Sequence, residues 1–444
     1  MRYKDNYSFL TSAPVGKVIV TMAIPTIISM MVTSLYNIVD TFFVGRISTQ
    51  ATAAVGLVFP VMTLIQAFGF FFGQGSGTYI SRMLGAKNTE DASKMATTAL
   101  VCSVGFGLLL TVFGLLFLEP LVRGLGSTPT ILQDAKDFLG IILLGAPFMT
   151  GSLTLNNQIR FQGNAGYAMY GIISGAVLNV LTVPLFTFTF GLGIKGAAIG
   201  TVIGQVVGFI VLLAMSYKGD GVKLKLRDFS TRKDFYIDFF KGGTPSLTRQ
   251  GMASLATLLL NVAAGGFGDA AIAGMSIVSR ISLMVFSVII GIGQGFQPVC
   301  GFSYGAGLYD RVKKGYFFCM KLGIGILLLC CIPGFIFADK VVDVLRHDPE
   351  VVSVGMVALR WQIVTWPLAA MITFSNMTLQ TSGRSLPANI LAACRNGIFF
   401  IPLILLLPKC YGLFGVEICQ TVSDVLSFSV GIVLMVSYFH SIRK

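Results

Sequence analysis

Twelve stretches of about 20 or more mostly apolar residues follow one another along the chain, each long enough to cross a bilayer core as a helix. They lie near residues 18–44, 53–80, 96–118, 138–158, 167–190, 196–217, 244–265, 271–298, 316–337, 353–380, 387–408 and 413–438, with short polar links between them. Their continuous apolarity excludes a membrane barrel, whose strands alternate every second residue over about ten. The expected fold class is therefore an all-α membrane protein, because a helix satisfies its own backbone groups where no water reaches them. Composition agrees. Of the 444 residues 54% are hydrophobic and 11% charged, with mean hydropathy +0.80, too apolar for a soluble chain that must cover its surface with polar groups. The first stretch is too long for a signal-peptide core and lacks a small-residue cleavage site, so it reads as a true first helix.

The net charge of +13 would suggest nucleic acid in a soluble chain, but its placement points elsewhere. Most Lys and Arg fall in links on one side, the densest run being KGDGVKLKLRDFSTRKDFYIDFFKGG after the sixth stretch. The positive-inside rule then puts both termini and this link in the cytoplasm of a multi-pass plasma-membrane protein, with attraction to anionic lipid as a further consequence. Membrane lipid is an expected partner and nucleic acid is not. The eight cysteines sit in or beside apolar stretches without CxxC spacing and read as small buried hydrophobes. His347 and His440 lie in polar links, so a histidine metal or nucleophile site is not expected, and no HExxH pattern occurs. The chain is not expected to be an enzyme.

Shifted by 220 residues, the sequence matches itself without a gap over most of its length. Pro25 meets Pro245, Gly45 meets Gly265, and GQG at Gly73 to Gly75 meets GQG at Gly293 to Gly295. The register continues through Lys94 and Lys314, Pro147 and Pro367, Asn156 and Asn376, and Gly163 and Gly383. Near the sixth and twelfth stretches it slips by one residue, so GLGIKG at 191–196 meets CYGLFG at 410–415. An even number of crossings per unit brings the second copy in from the same side as the first. The expected architecture is two six-helix lobes related by a pseudo-two-fold axis along the membrane normal. Residues 1–217 form the first lobe, 218–242 a cytoplasmic basic linker and 243–444 the second lobe. Such proteins are transporters whose substrate sites lie near the midplane and open to either side in turn. The GQG elements read as close helix packing, since a phosphate-cradling loop would need a strand before it and a Lys after it. Pro25, Pro60, Pro147, Pro184, Pro245, Pro298 and Pro367 lie in or near the stretches, where each removes a helix hydrogen bond and permits a bend.

Within the first stretch a single carboxylate, Asp40, lies in the otherwise uncharged run from Pro25 to Arg46. A charge at such depth costs about 3 kcal/mol on insertion scales, so it reaches headgroup water or faces a protein interior or wet cavity. The transporter architecture favours an ion or proton site. Arg249, Arg280, Arg360 and Arg395 also fall inside stretches, where structural pairing with Glu417 or Asp424 is expected. Met22, Met30, Met31 and Tyr36 are candidates for a cavity wall, flexible Met surfaces being suited to varied ligands.

The segments LYNIVDTFFVGRISTQATAAVG at Leu35 to Gly56, GQGSGTYISRMLGAK at Gly73 to Lys87, LNNQIRFQGN at Leu155 to Asn164 and GLGIKGAAIGT at Gly191 to Thr201 resemble the multidrug and toxic compound extrusion (MATE) family. The resemblance covers essentially the whole chain. It implies a secondary active antiporter that exports cationic or amphipathic drugs or toxic metabolites in exchange for H⁺ or Na⁺ by alternating access. It further implies an ion site in the first lobe, for which Asp40, Asn179 and Thr201 match the family's positions. The family's second acid does not match, its place being taken by Val183, and a second-lobe sodium site finds Ala253 and Ala369 where acids would stand. Tyr36, Asn37 and Asn157 are the candidate substrate-binding residues. No cofactor is expected beyond the coupling ion, and the protein is expected to work as a monomer. A lipid-linked precursor flippase of a related two-lobed family is the alternative, and the intramembrane arginines are its main support.

Overall fold

The computed structural model describes residues 5–218 and 221–442; within the first long helix the side chains of Asn37, Ile38 and Thr41 lie outside the described set. The first lobe comprises α1 (Asn6–Ser12), α2 (Val15–Gly45), α3 (Thr49–Gly85), α4 (Thr89–Leu116), α5 (Leu118–Gly124), α6 (Leu132–Phe161), α7 (Ala165–Pro184) and α8 (Gly193–Lys218). The second comprises α9 (Lys233–Gly265), α10 (Asp269–Gly305), α11 (Tyr309–Ile336), α12 (Ala338–Leu345), α13 (Pro349–Thr381), α14 (Ser385–Ala393), α15 (Phe400–Tyr411) and α16 (Leu413–Ser441). Side-chain caps start several of these. Ser48 Oγ accepts from the Ala51 N–H at 2.9 Å ahead of α3, and Asn88 Oδ1 accepts from the Asp91 N–H at 3.1 Å ahead of α4. Asp348 caps α13 with Pro349 in its first turn. Each cap satisfies a donor that the first helical turn leaves free.

The duplication seen in the sequence is physical. α10 and α11 begin and end 220 residues after α3 and α4. The turns after α6 and α13 use Gly163 at φ 91° and Gly383 at φ 77°, a left-handed backbone that glycine adopts without a Cβ clash. The pairs differ where one π turn, Leu185–Thr189, follows Pro184 in the first lobe, while in the second a π turn at Cys394–Ile398 joins α14 to α15. All seven prolines singled out above lie inside helices.

The expected two-lobed helical plan holds. Among the described residues eleven helices, α14 to α15 counting as one, are long and apolar enough by length and composition to cross a membrane, and the 33-residue α9 is more polar than the rest. Its first turns carry Lys233, Asp234, Asp238 and Lys241, and its middle carries Arg249 and Gln250. Helix also resumes at Lys233, well before 243. Phe235 and Phe239, four residues apart on one face, are buried beside Phe71 and Phe72 of α3 and draw those polar turns into the helix.

The lobes join at the end that carries the N-terminal segment and the link. There Ala23 of α2 lies within 2.6 Å of where a Cβ on Gly295 would stand, and Gly75 abuts Phe239 backbone. Arg82 donates to the Thr381 carbonyl at 2.8 Å and Arg311 to that of Leu10 at 3.0 Å. Asn6 bonds Asn164 at 2.8 Å, and the Val222 N–H donates to Gln162 Oε1 at 2.7 Å, tying α1 and the link to the end of α6. Towards the opposite end Leu35, Phe59, Leu283 and Met284 stand exposed. The glycines of the GQG elements thus serve close helix approach, as expected. Of the cysteines, Cys410 departs from expectation and is exposed near the end of α15.

Candidate functional site

Glycine sets the geometry of the first lobe's interior. A Cβ on Gly204 would stand 2.8 Å from the Gly175 carbonyl, and one on Gly200 2.7 Å from the Val183 nitrogen. These contacts let α7 and α8 approach along their length. Beside that seam, and closed by α2, α3 and α6, lies a cavity of about 180 Å³. Asn179 and Thr201 line it, as do Met30 and Tyr36 of α2, with Gln66, Ser152, Asn156 and Gln205 adding further polar groups. Among the described residues no carboxylate, lysine or arginine lines it.

Asn179 and Thr201 are 4% and 6% exposed. Asn179 donates through Nδ2 to Thr201 Oγ1 at 3.3 Å, and that hydroxyl donates back to the Ala197 carbonyl at 3.0 Å. Asn179 Oδ1 and Gln205 Oε1 are buried acceptors without a hydrogen-bond partner among the described residues. Asp40 does not line the cavity. It follows Tyr36 by one turn on the same face of α2, and its Oδ1 is likewise buried without a partner. Two acceptor oxygens on the cavity wall without a donor among the described residues suit a proton or a small cation, because an unsatisfied buried acceptor is costly, and Asp40 Oδ1 is a third such acceptor in the same lobe.

The remaining candidates divide. Asn37 lies outside the described side chains. Asn157 does not reach the cavity, which its neighbour Asn156 lines instead. Asn157 is held where the lobes meet, accepting from Gln74 at 3.0 Å and from Arg160 at 2.6 Å. Met22 is buried, and Met31 is exposed. Gln205 was legible in principle, one turn after Thr201 on α8, whereas Gln66 and Ser152 carry no signal in their neighbourhoods. The segment GFSYG at Gly301 to Gly305 spells a GxSxG pattern. It forms the last turn of α10 with Ser303 fully buried, not the strand-to-helix turn that a nucleophile of that type needs.

The MatE family model matches this chain twice, over residues 25–185 and 245–406. The chain belongs to the MatE family. Multidrug export protein MepA of Staphylococcus aureus strain MSSA476 is 26% identical over 412 residues, which covers 92% of this chain and 90% of MepA. The MepA of Staphylococcus haemolyticus strain JCSC1435 is 25% identical over 420 residues, 93% and 92% of the two chains. Among solved structures, a MATE in complex with MaL6 superposes with a TM-score of 0.94 at 26% identity, covering 99% of this chain and all of that one. The outward-facing conformation of a multidrug resistance MATE family transporter also gives 0.94 at 26% identity, with both chains fully covered.

In this MATE protein the two lobes are not equivalent inside. The repeat register places Phe286, Thr365, Arg395 and Asp424 at the counterparts of Gln66, Gly145, Gly175 and Gln205. Arg395 Nε donates to Asp424 Oδ1 at 2.8 Å, its guanidinium lies 4.8 Å from the Phe286 ring centroid, and Gln420 donates to the same carboxylate oxygen at 2.8 Å. The pairing expected for the intramembrane arginines is therefore met by Arg395 with Asp424. Arg249 instead donates to Asn376 at 2.9 Å, Arg360 to the Phe335 carbonyl at 3.2 Å, and Arg280 is exposed. Glu417 is buried and forms no ion pair among the described residues.

Proposed function

We propose that this MATE-family transporter is a secondary active antiporter, exporting cationic or amphipathic molecules in exchange for H⁺ or Na⁺ by alternating access. The observation that carries the reading is the first-lobe cavity, where Tyr36, Asn179 and Thr201 gather, with Asp40 one turn after Tyr36 on α2 and its Oδ1 without a partner among the described residues. Asp40 holds a proton while its cleft faces one side and releases it when wetted from the other. The charge left behind attracts Na⁺ or the drug cation, with Asn179 and Thr201 supplying neutral oxygens that suit either ion. Both termini and the link are assigned to the cytoplasm on the distribution of Lys and Arg, and the working unit is a monomer. The MepA relatives named as multidrug export proteins support the substrate class. A flippase for pyrophosphate-linked lipids would call for a cationic cavity, and among the described residues no Lys or Arg lines this one.

The test is efflux of a cationic dye from proteoliposomes under an imposed pH or sodium gradient. Efflux that follows one of the gradients is the expected result; efflux indifferent to both would sink the antiport reading.

A further inference from the structure

Arg160 is an intramembrane cation that no motif in the sequence singles out, and it donates to two side-chain amides, one on each side of the lobe junction. It stands near the end of α6, 2% exposed, where the lobes meet. Nη2 donates to Asn157 Oδ1 at 2.6 Å, and Nη1 donates across the junction to Gln294 Oε1 of α10. Gln74 donates to the same Asn157 oxygen at 3.0 Å and accepts from Gln297 Nε2 at 3.1 Å. The central glutamines of both GQG elements thus enter one network around the guanidinium. No carboxylate takes part, and Arg160 Nε and Gln297 Oε1 have no partner among the described residues. Arginine does not give up its proton in proteins, and a buried charge is normally paired. This one is solvated by neutral amides and the Phe161 ring, 5.3 Å from its centroid.

Packing does not require a cation here. The counterpart of Arg160 in the second repeat is Gln380, equally buried, whose Nε2 donates to the Gly242 carbonyl at 2.8 Å and to Ser246 Oγ at 2.9 Å. A neutral amide fills the equivalent place with its donors satisfied, so the feature unique to Arg160 is its charge. We propose that Arg160 is a fixed-charge seal, a specificity-determining residue that keeps H⁺ and metal cations from leaking through the closed end of the lobe junction. An uncompensated positive charge at a constriction raises the barrier to any cation, whereas the neutral network around it would admit one. The proposal rests on the transporter reading for its purpose, but its test does not require drug movement.

Full-length protein is reconstituted into liposomes with an entrapped pH dye, a potassium diffusion potential is imposed, and proton entry is measured with no drug present. Arg160→Gln, which copies the second repeat, is expected to raise the leak about tenfold. Asn157→Asp keeps Arg160 and neutralises it in place, and is expected to leak likewise, so the result does not hang on one variant folding. Gln294→Leu removes the acceptor across the junction but leaves the charge, and is expected to stay tight. Leaks at the wild-type level in both Arg160→Gln and Asn157→Asp, or a Gln294→Leu leak equal to theirs, would overturn the seal and leave a simple latch. Absent dye export by the wild type would instead sink the antiport reading, while the leak comparison still decides this one.

Discussion

Arg395 and Asp424 form an ion pair, Nε to Oδ1 at 2.8 Å, at the positions that Gly175 and Gln205 hold in the first repeat. The duplicated unit has thus been finished in two ways. In the first lobe Gly145 lets the Gln205 side chain lie against α6 and Gly175 lets α8 approach α7, beside a cavity that Gly175 and Gln205 line. In the second, Thr365 and Arg395 fill the equivalent space, with Thr365 Oγ1 3.5 Å from Asp424 Oδ2 and the Phe286 ring beneath the guanidinium. A lobe so filled holds its carboxylate neutralised and fixed, which suits a structural role better than a coupling one.

The pair therefore predicts a stability effect without a coupling effect. Asp424 is 1% exposed, and removing one partner of a buried pair strands the other at a cost of about 3–5 kcal/mol. Asp424→Asn should lower the thermal unfolding midpoint in detergent markedly. Arg395→Gln with Asp424→Asn should recover part of the loss, because no charge is then left alone. Protein of either kind that does insert should keep its response to an ion gradient. A gradient response lost in the double variant, at matched reconstitution, would make Asp424 a coupling acid.

Within the first lobe, the oxygens of Asn179 and Thr201 should matter more than their small volumes suggest. Asn179→Ala and Thr201→Ala each remove a polar group from the cavity wall and break the 3.3 Å bond between them. Ala253→Ser adds a hydroxyl in the other lobe, where the family's acid is missing. Gradient-driven efflux should fall about tenfold or more in the first two and stay near wild type in the third, since each tenfold is about 1.4 kcal/mol of lost interaction. Comparable effects in all three would separate the cavity from transport.

Much of the architecture was legible because apolar length and the 220-residue repeat are properties of the chain itself. Bilayer thickness fixes helix length, and Gly163 and Gly383 mark the same turn twice. The stretch 244–265 lies within α9, whose earlier start at Lys233 is polar by composition and helical by contact: Phe235 and Phe239 find their partners on α3, far away in sequence. The site was half legible. Asn179 and Thr201 were reached through family resemblance and are brought together by glycine contacts between α7 and α8. Asn157 and its neighbour Asn156 could not be told apart without knowing which face of α6 turns inward. Arg160 carries no signal in its own neighbourhood, because its partner Gln294 lies on α10, 134 residues away.

Orientation is open to a direct measurement. The link is described from Gly221, and Lys225 within it is exposed, so a cysteine there would be reachable from whichever side the link faces. With Cys410 replaced, because it is the one exposed native cysteine among the described residues, Lys225→Cys should resist an impermeant maleimide in intact cells and react after permeabilisation. Ready labelling of intact cells would reverse the assignment of both termini.

The most demanding prediction concerns Asp40. Asp40→Asn should abolish ion-driven export while leaving folding and insertion largely intact. Asparagine is nearly isosteric and still hydrogen-bonds, so packing of α2 against its neighbours survives. It neither releases a proton nor carries the charge that draws in a cation. No second carboxylate lines the cavity among the described residues, and Val183, which the family resemblance sets at the second acid's position, is fully buried against Gly200. The loss should therefore be more complete than in a site with two acids. Dye binding should persist, because Tyr36, Met30 and the uncharged wall remain. The measurement compares wild type and Asp40→Asn in proteoliposomes at matched protein content, under a pH gradient and then a sodium gradient, with dye binding read separately by fluorescence anisotropy. If the variant follows either gradient as the wild type does, Asp40 is not the coupling residue. The buried Glu417 of α16 would then be the acid to replace next.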